Sequence, residues 1–240
     1  SPIAYDDLKQ RPQYIAEGLS QKNEVVFVEP TIRGISCLLR KLKGCRGRKN
    51  KIMEHLTVVR CDGRFVLPFR WNVVDFFAWN SILERKYLRL YLDKADVIIV
   101  GFEGWTNVLN PYKDKIIIYD KMDDNVLLAS TKSYQIYLAR MERKLLTMTN
   151  AMIVTAQKFA DDYSGKVERI VQISNGVEQD ICMPSAGTTD NNQKIYGYVG
   201  MISDWLDMEA IKTISAQVGT EIVMVGPCNT EIYEAENITY

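Results

Sequence analysis

Asp120 closes an apolar run, Lys115-Ile-Ile-Ile-Tyr-Asp120, and Asp123 and Asp124 follow it within the same loop. A carboxylate at the carboxyl end of a buried strand sits where open α/β sheets place ligand-binding groups. Asp120 and Asp124 are the two candidates for a catalytic carboxylate that accepts a proton. The plainer alternative is that Asp120 caps a turn or a helix and its neighbours are solvated. Arg11 precedes Pro12, a residue pre-shaped for the first turn of a helix, so its guanidinium stands near a helix amino terminus. There it suits a phosphate or a carboxylate ligand, or a salt bridge to Asp6, Asp7 or Glu29. Gly101-Phe102-Glu103-Gly104-Trp105 follows another apolar run, which makes Glu103 and Trp105 candidates to bind a ligand, Trp105 by stacking. Trp105 packed in an ordinary loop is the alternative. Gly200 ends a third run, and Met201, Ile202 and Ser203 lead into a helical segment. Backbone N–H groups and a helix dipole at such a turn can seat a phosphate, with Ser203 as cap and Asp204 in the first turn. Asp204 and Asp207 would oppose it.

These residues need a scaffold, and the chain alternates strand-like and helix-like segments. Helical spacing covers Asp6 to Leu19, Val73 to Leu92, Gln135 to Met148 and Trp205 to Ala216. In the second of these, Phe76, Trp79, Leu83, Tyr87 and Leu90 fall near one face. Strand-like runs are Glu24–Glu29, Leu56–Arg60, Asp96–Gly101, Lys115–Asp120, Met152–Thr155, Arg169–Ile173, Ile195–Gly200 and Glu221–Gly226, with another beginning at Asn237. The alternation predicts a doubly wound parallel, Rossmann-like sheet, because parallel neighbours need crossovers and helices supply them. Asn175-Gly176 reads as the exit from a domain, since both residues accept the φ > 0 that a sharp turn needs. The expected organisation is a first domain over 1–176, a hinge and linker over 177–193, and the start of a second Rossmann-like domain over 194–240. A central first strand before Asp6 is short or missing, and the second domain stops early, so a fragment is expected.

The 240 residues balance thirty basic against thirty acidic side chains, so no global field favours nucleic acid. No run is long enough for a membrane span, and no signal peptide is visible at Ser1-Pro2-Ile3-Ala4. Five scattered cysteines without metal spacing read as reduced thiols of a cytosolic protein, and His55 has no metal partner at ligand spacing. No metal and no resident cofactor are expected. From Arg40 to Lys51, seven of twelve residues are basic, and Phe65 to Trp79 is rich in aromatics. That flank suits the anionic inner leaflet of a membrane, or is a mobile solvated loop.

The run Asp7-Leu-Lys-Gln-Arg11-Pro-Gln13, then Ile15-Ala16, Leu19 and Val26-Phe-Val-Glu-Pro30, resembles the start of bacterial GT-B glycosyltransferases of family four. Tyr119-Asp120 with Asp123-Asp124, Ser174-Asn-Gly-Val177 with Pro184, Gly197-Tyr-Val-Gly200 with Trp205-Leu-Asp207, and Val225-Gly-Pro227 continue the likeness in order. The resemblance implies transfer of a sugar from a nucleotide-sugar to a glycan or polyprenyl-linked acceptor, as in surface-polysaccharide or teichuronic-acid assembly. It further implies a retaining, metal-independent enzyme at the cytoplasmic face, with acceptor contacts from Arg11, Glu103 and Trp105 and donor contacts from Gly200, Met201, Ile202 and Ser203. Two departures stand out. The acidic motif that grips the donor would lie beyond Tyr240, so this chain alone is expected to be inactive, and Met201-Ile202-Ser203 replaces an arginine often found after the glycine turn. The alternatives are a non-catalytic carbohydrate-binding or complex-forming subunit and, more distantly, a nucleotide-sugar epimerase.

Overall fold

The computed structural model describes residues 3–31, 48–61, 79–129, 131–176 and 194–240, with side chains at 48, 79 and 80 left out. The predicted hinge from 177 on, most of the basic segment from Arg40 and the aromatic stretch up to 78 lie outside them. The chain divides into two compact units, Ser1–Val177 and Glu178–Tyr240.

In the first unit, helix α1 (Arg11–Ser20) leads to β1 (Val25–Glu29), then β2 (Arg48–Met53) and β3 (Leu56–Arg60). These strands form one sheet in the order β1-β3-β2, with β1 and β3 parallel and β2 antiparallel on the edge. Helix α2 (Trp79–Leu92) precedes β4 (Val97–Val100); a 3-10 turn (Glu103–Trp105) and the short α3 (Thr106–Leu109) precede β5 (Ile116–Lys121). Helix α4 (Lys132–Leu146), β6 (Ala151–Val154), α5 (Gln157–Asp162) and β7 (Arg169–Gln172) complete the unit. Strands β4-β5-β6-β7 form a second sheet, parallel throughout.

The parallel α/β architecture follows from the sequence, short apolar strands separated by helices, with burial deepest at β5 and β6, while β4 and β7 leave Val97, Ile99 and Val171 exposed. Ile117, Tyr119, Met152 and Val154 pack beneath Leu145 and Met148 of the α4 region, and Val59, Leu88, Leu92, Val100 and Val108 extend the same core. A smaller cluster joins Ala16 of α1 to Phe27, Leu56 and Val58.

Three expectations change. Among the described residues of the first unit the single doubly wound sheet is two sheets, because β1 pairs only with β3 and β4 only with β5. The carboxyl end of the basic segment is not a loop but the edge strand β2, where charged residues discourage pairing with another chain. The face of α2 carrying Leu83, Tyr87 and Leu90 is exposed, while Ser81, Glu84, Leu88 and Leu92 are buried.

The second unit is a parallel sheet, β8 (Lys194–Val199), β9 (Thr220–Val225) and β10 (Ile238–Thr239), in the order β10-β9-β8. Helix α6 (Met208–Ser215) sets Met208, Ile211 and Ile214 against Ile202, Ile222 and Met224. The helix begins at Met208 rather than at Trp205. Asp207 caps it, its Oδ1 accepting from the Ala210 N–H at 3.0 Å.

Candidate functional site

Helix α1 opens at Arg11 because Pro12 fits the first turn and the Gln13 side chain accepts from the Gln10 N–H at 3.1 Å. That start projects Arg11 to the carboxyl end of β5. Its Nε donates to Asp120 Oδ1 at 3.0 Å and Oδ2 at 3.1 Å, and its Nη2 lies 3.0 Å from Oδ1. Its Nη1 donates to the carbonyl of Ile173 at 2.9 Å, with Ser174 O and Asn175 Oδ1 each at 3.4 Å. The side chains are 9% and 4% exposed, so the pair is largely desolvated. One guanidinium thus ties the helix of the first sheet to a strand of the second and to the chain leaving β7. The partner of Arg11 is Asp120, not Asp6, Asp7 or Glu29. Both Asp120 oxygens accept from Arg11, so the carboxylate orients the guanidinium.

Asp124 stands apart from that pair. Its Oδ1 accepts from the N–H groups of Val126 and Leu127, both at 3.1 Å, which closes a turn of the loop after β5. It acts electrostatically on Lys121, Lys158 and Tyr163.

Glu103 is fully buried and lies in an interior network on the opposite face of β5 from Asp120, a consequence of strand alternation. Its Oε1 accepts from the Tyr119 hydroxyl at 2.5 Å and from Lys121 Nζ at 3.3 Å, and its Oε2 accepts from Asn125 Nδ2 at 2.8 Å. Glu142 of α4 accepts from Lys121 at 2.5 Å, Tyr163 at 2.6 Å and Tyr119 at 3.0 Å. Burial and the neighbouring carboxylates push the Tyr119 and Tyr163 hydroxyls well above the usual phenol range. Burial alone would lower the Lys121 ammonium, but Glu103 and Glu142 outweigh it and raise it. Trp105 is half-buried against the main core.

The sequence analysis passes over Lys121, Asn125, Glu142 and Tyr163. Two signals were available. Lys121 ends an otherwise apolar buried strand, and Glu142 shares the helical stripe of Leu138, Met141 and Leu145.

In the second unit, Gly200 and Ile202 extend the sheet beside Gly226 to Cys228. The Gly200 N–H donates to Val225 O at 3.0 Å and the Ile202 N–H to Pro227 O at 2.8 Å. Two of the N–H groups expected to face a phosphate are therefore used in the ladder. Gly226, at φ +150°, is required there: a Cβ would lie 1.9 Å from Gly200 O. Ile202 and Ser203 are buried, Met201 is exposed, and the Ser203 carbonyl, not its hydroxyl, takes part in the turn by accepting from the Leu206 N–H at 2.9 Å.

His55 is exposed, its Nδ1 2.5 Å from Glu24. Among the described residues no group of three His, Cys, Asp or Glu side chains is placed to hold a metal ion, and no helix is long and apolar enough to cross a membrane. No family model matches the chain, and no curated protein matches it.

Proposed function

We infer that the chain belongs to a GT-B glycosyltransferase that moves a sugar from a nucleotide-sugar donor to a carbohydrate or lipid-linked acceptor in cell-surface polysaccharide synthesis. The reading includes retention of configuration, independence of metal and work at the cytoplasmic face. The observation that carries it is the Arg11–Asp120 pair at the carboxyl end of a four-stranded parallel sheet, where α/β proteins assemble ligand sites. On this reading the first unit serves the acceptor. Asp120 keeps the guanidinium oriented, and Arg11 exchanges a chain-exit carbonyl for an anionic acceptor oxygen. The second unit serves the donor through the turn at Gly200.

The test is transfer of label from a panel of radiolabelled nucleotide-sugars to polyprenyl-phosphate and glycan acceptors by the full-length gene product. Organic-phase or polymer-bound label is expected with one donor, and Arg11→Ala is expected to abolish it. Intact donors across the whole panel would contradict the reading.

One observation favours a second reading, a binding subunit without chemistry. Asp120 is occupied by Arg11, and the Gly200 and Ile202 N–H groups are occupied by the sheet. Calorimetric binding of glycans with no turnover of any donor would select it.

A further inference from the structure

The loop after β5, residues 122–128, leaves the same end of the sheet as Asp120 and carries Asp123 and Asp124. Little apolar packing holds it. Met122 and Val126 are half-buried, and Leu127 and Leu128 are 74% and 57% exposed. Its shape comes from within: Asp124 Oδ1 accepts from the Val126 and Leu127 N–H groups, and the Leu128 N–H donates to the Asp124 carbonyl at 3.0 Å. Its ties to the body of the unit are polar. Thr155 Oγ1 donates to the Met122 carbonyl at 2.8 Å, at the root of the loop. Asn125 Nδ2 donates to Glu103 Oε2 at 2.8 Å, within the turn itself.

Glu103 is the fixed end of that second tie. It is fully buried in the turn after β4, and its other oxygen accepts from Tyr119 and Lys121. Lys121, 1% exposed, is held in turn by Glu142 of α4. The carboxylate that receives Asn125 is therefore fixed by groups from β5 and, through Lys121, from α4. A hydrogen bond to an ionised acceptor in such surroundings is among the stronger ones. An amide suits the position, since it donates to Glu103 without adding a charge to a network that Lys121 already supplies with one. A carboxylate there would meet Glu103 as a like charge.

We propose that Glu103 and Asn125 are positioning residues. Through them the buried Lys121 network sets where the loop after β5 stands at the Arg11–Asp120 end of the sheet, and so how an acceptor is received there. Glu103 then serves the site from inside the fold and not as a ligand contact. The consequence for the acceptor rests on the transferase reading; the setting of the loop does not.

The experiment is hydrogen–deuterium exchange on the full-length gene product, paired with acceptor and donor KM values in the transfer assay. Asn125→Ala should speed exchange across 122–128 by roughly 10- to 150-fold, the worth of a hydrogen bond to a charged acceptor, and leave β5 and β6 unchanged. Asn125→Asp should do the same by repulsion. Adding Glu103→Gln to Asn125→Asp turns the bond round, an amide at 103 donating to a carboxylate at 125, and should restore slow exchange. Thermal melts check that the variants fold. In the transfer assay Asn125→Ala should raise the acceptor KM and spare the donor KM. Loop exchange unchanged in Asn125→Ala, or a rise shared equally by β5 and β6, overturns the proposal. A released loop with an acceptor KM at the wild-type value overturns its consequence for the acceptor. Absence of transfer by wild type would sink the transferase reading alone, because exchange reads the loop without any chemistry.

Discussion

The two faces of β5 handle buried charge in opposite ways. On one, Asp120 meets a single cation, Arg11, which arrives from a helix 109 residues earlier and spends its remaining donors on the chain leaving β7. On the other, Lys121 lies between Glu103 and Glu142, and Tyr119, Tyr163 and Asn125 donate to the same two carboxylates. Both sets of charges are largely buried; the first borders an exposed chain segment through the carbonyls of Ile173 and Ser174, whereas the second is dry at Lys121 and Glu103 and reaches toward solvent at Glu142, 13% exposed, and at Asn125. Burial of an ionisable group therefore does not identify a ligand site. A buried pair that also borders an exposed chain segment can trade partners with a ligand, whereas a closed network can only hold elements together.

The largest effect should come from the closed side. Lys121→Met leaves two buried carboxylates without their cation and should cost about 3–5 kcal/mol in urea unfolding. A cost under about 1 kcal/mol would mean that the network is not coupled. Arg11→Ala should cost less, about 2–3 kcal/mol, because Asp120 loses charge-assisted hydrogen bonds but only one carboxylate is left without its cation. The cycle with Asp120→Ala should return a coupling of roughly 0.5–3 kcal/mol, and strict additivity would break the comparison.

The two sides should also differ with pH. Tyr119 and Tyr163 titrate higher when folded than when unfolded, and so does Lys121. Their stabilisation is complete below the unfolded values near pH 10 and is lost as pH rises beyond them. Tyr5, pushed up to about 12 by burial and by Glu17, adds to the same decline between pH 10 and 12. Unfolding free energies measured at pH 9 and pH 11 should fall in wild type and fall less in Tyr119→Phe/Tyr163→Phe. The smallest effect is expected at Asp124→Ala, about 1 kcal/mol for a lost turn cap, read by thermal melting.

Much of this arrangement was legible beforehand, and the gaps have physical causes. The parallel strands announced themselves as short apolar runs separated by segments of helical spacing. Arg11 and Asp120 were each singled out, but their pairing joins positions far apart in sequence and no local pattern encodes it. The period of α2 was visible in Leu83, Tyr87 and Leu90; which way that face points was not, because periodicity marks an amphipathic helix without saying what covers its apolar side. Strand β2 read as a basic loop because its lysines suit an edge as well as they suit a loop. In the second unit the strand running into Gly200 was legible, but Gly200 and Ile202 continue the ladder beside Val225 and Pro227 and the turn closes later, at Ser203 to Leu206, which depends on the neighbouring strand.

Hydrogen–deuterium exchange with and without saturating nucleotide-sugar and acceptor analogues tests the central claim most directly. If the Arg11–Asp120 end of the sheet is the acceptor site, the acceptor analogue should slow exchange at the start of α1, in the loop after β5 and at Ile173 to Asn175. The loop after Val199 should respond to the donor. Unchanged exchange at Arg11, Asp120 and Ile173, or protection confined to other surfaces, would contradict it.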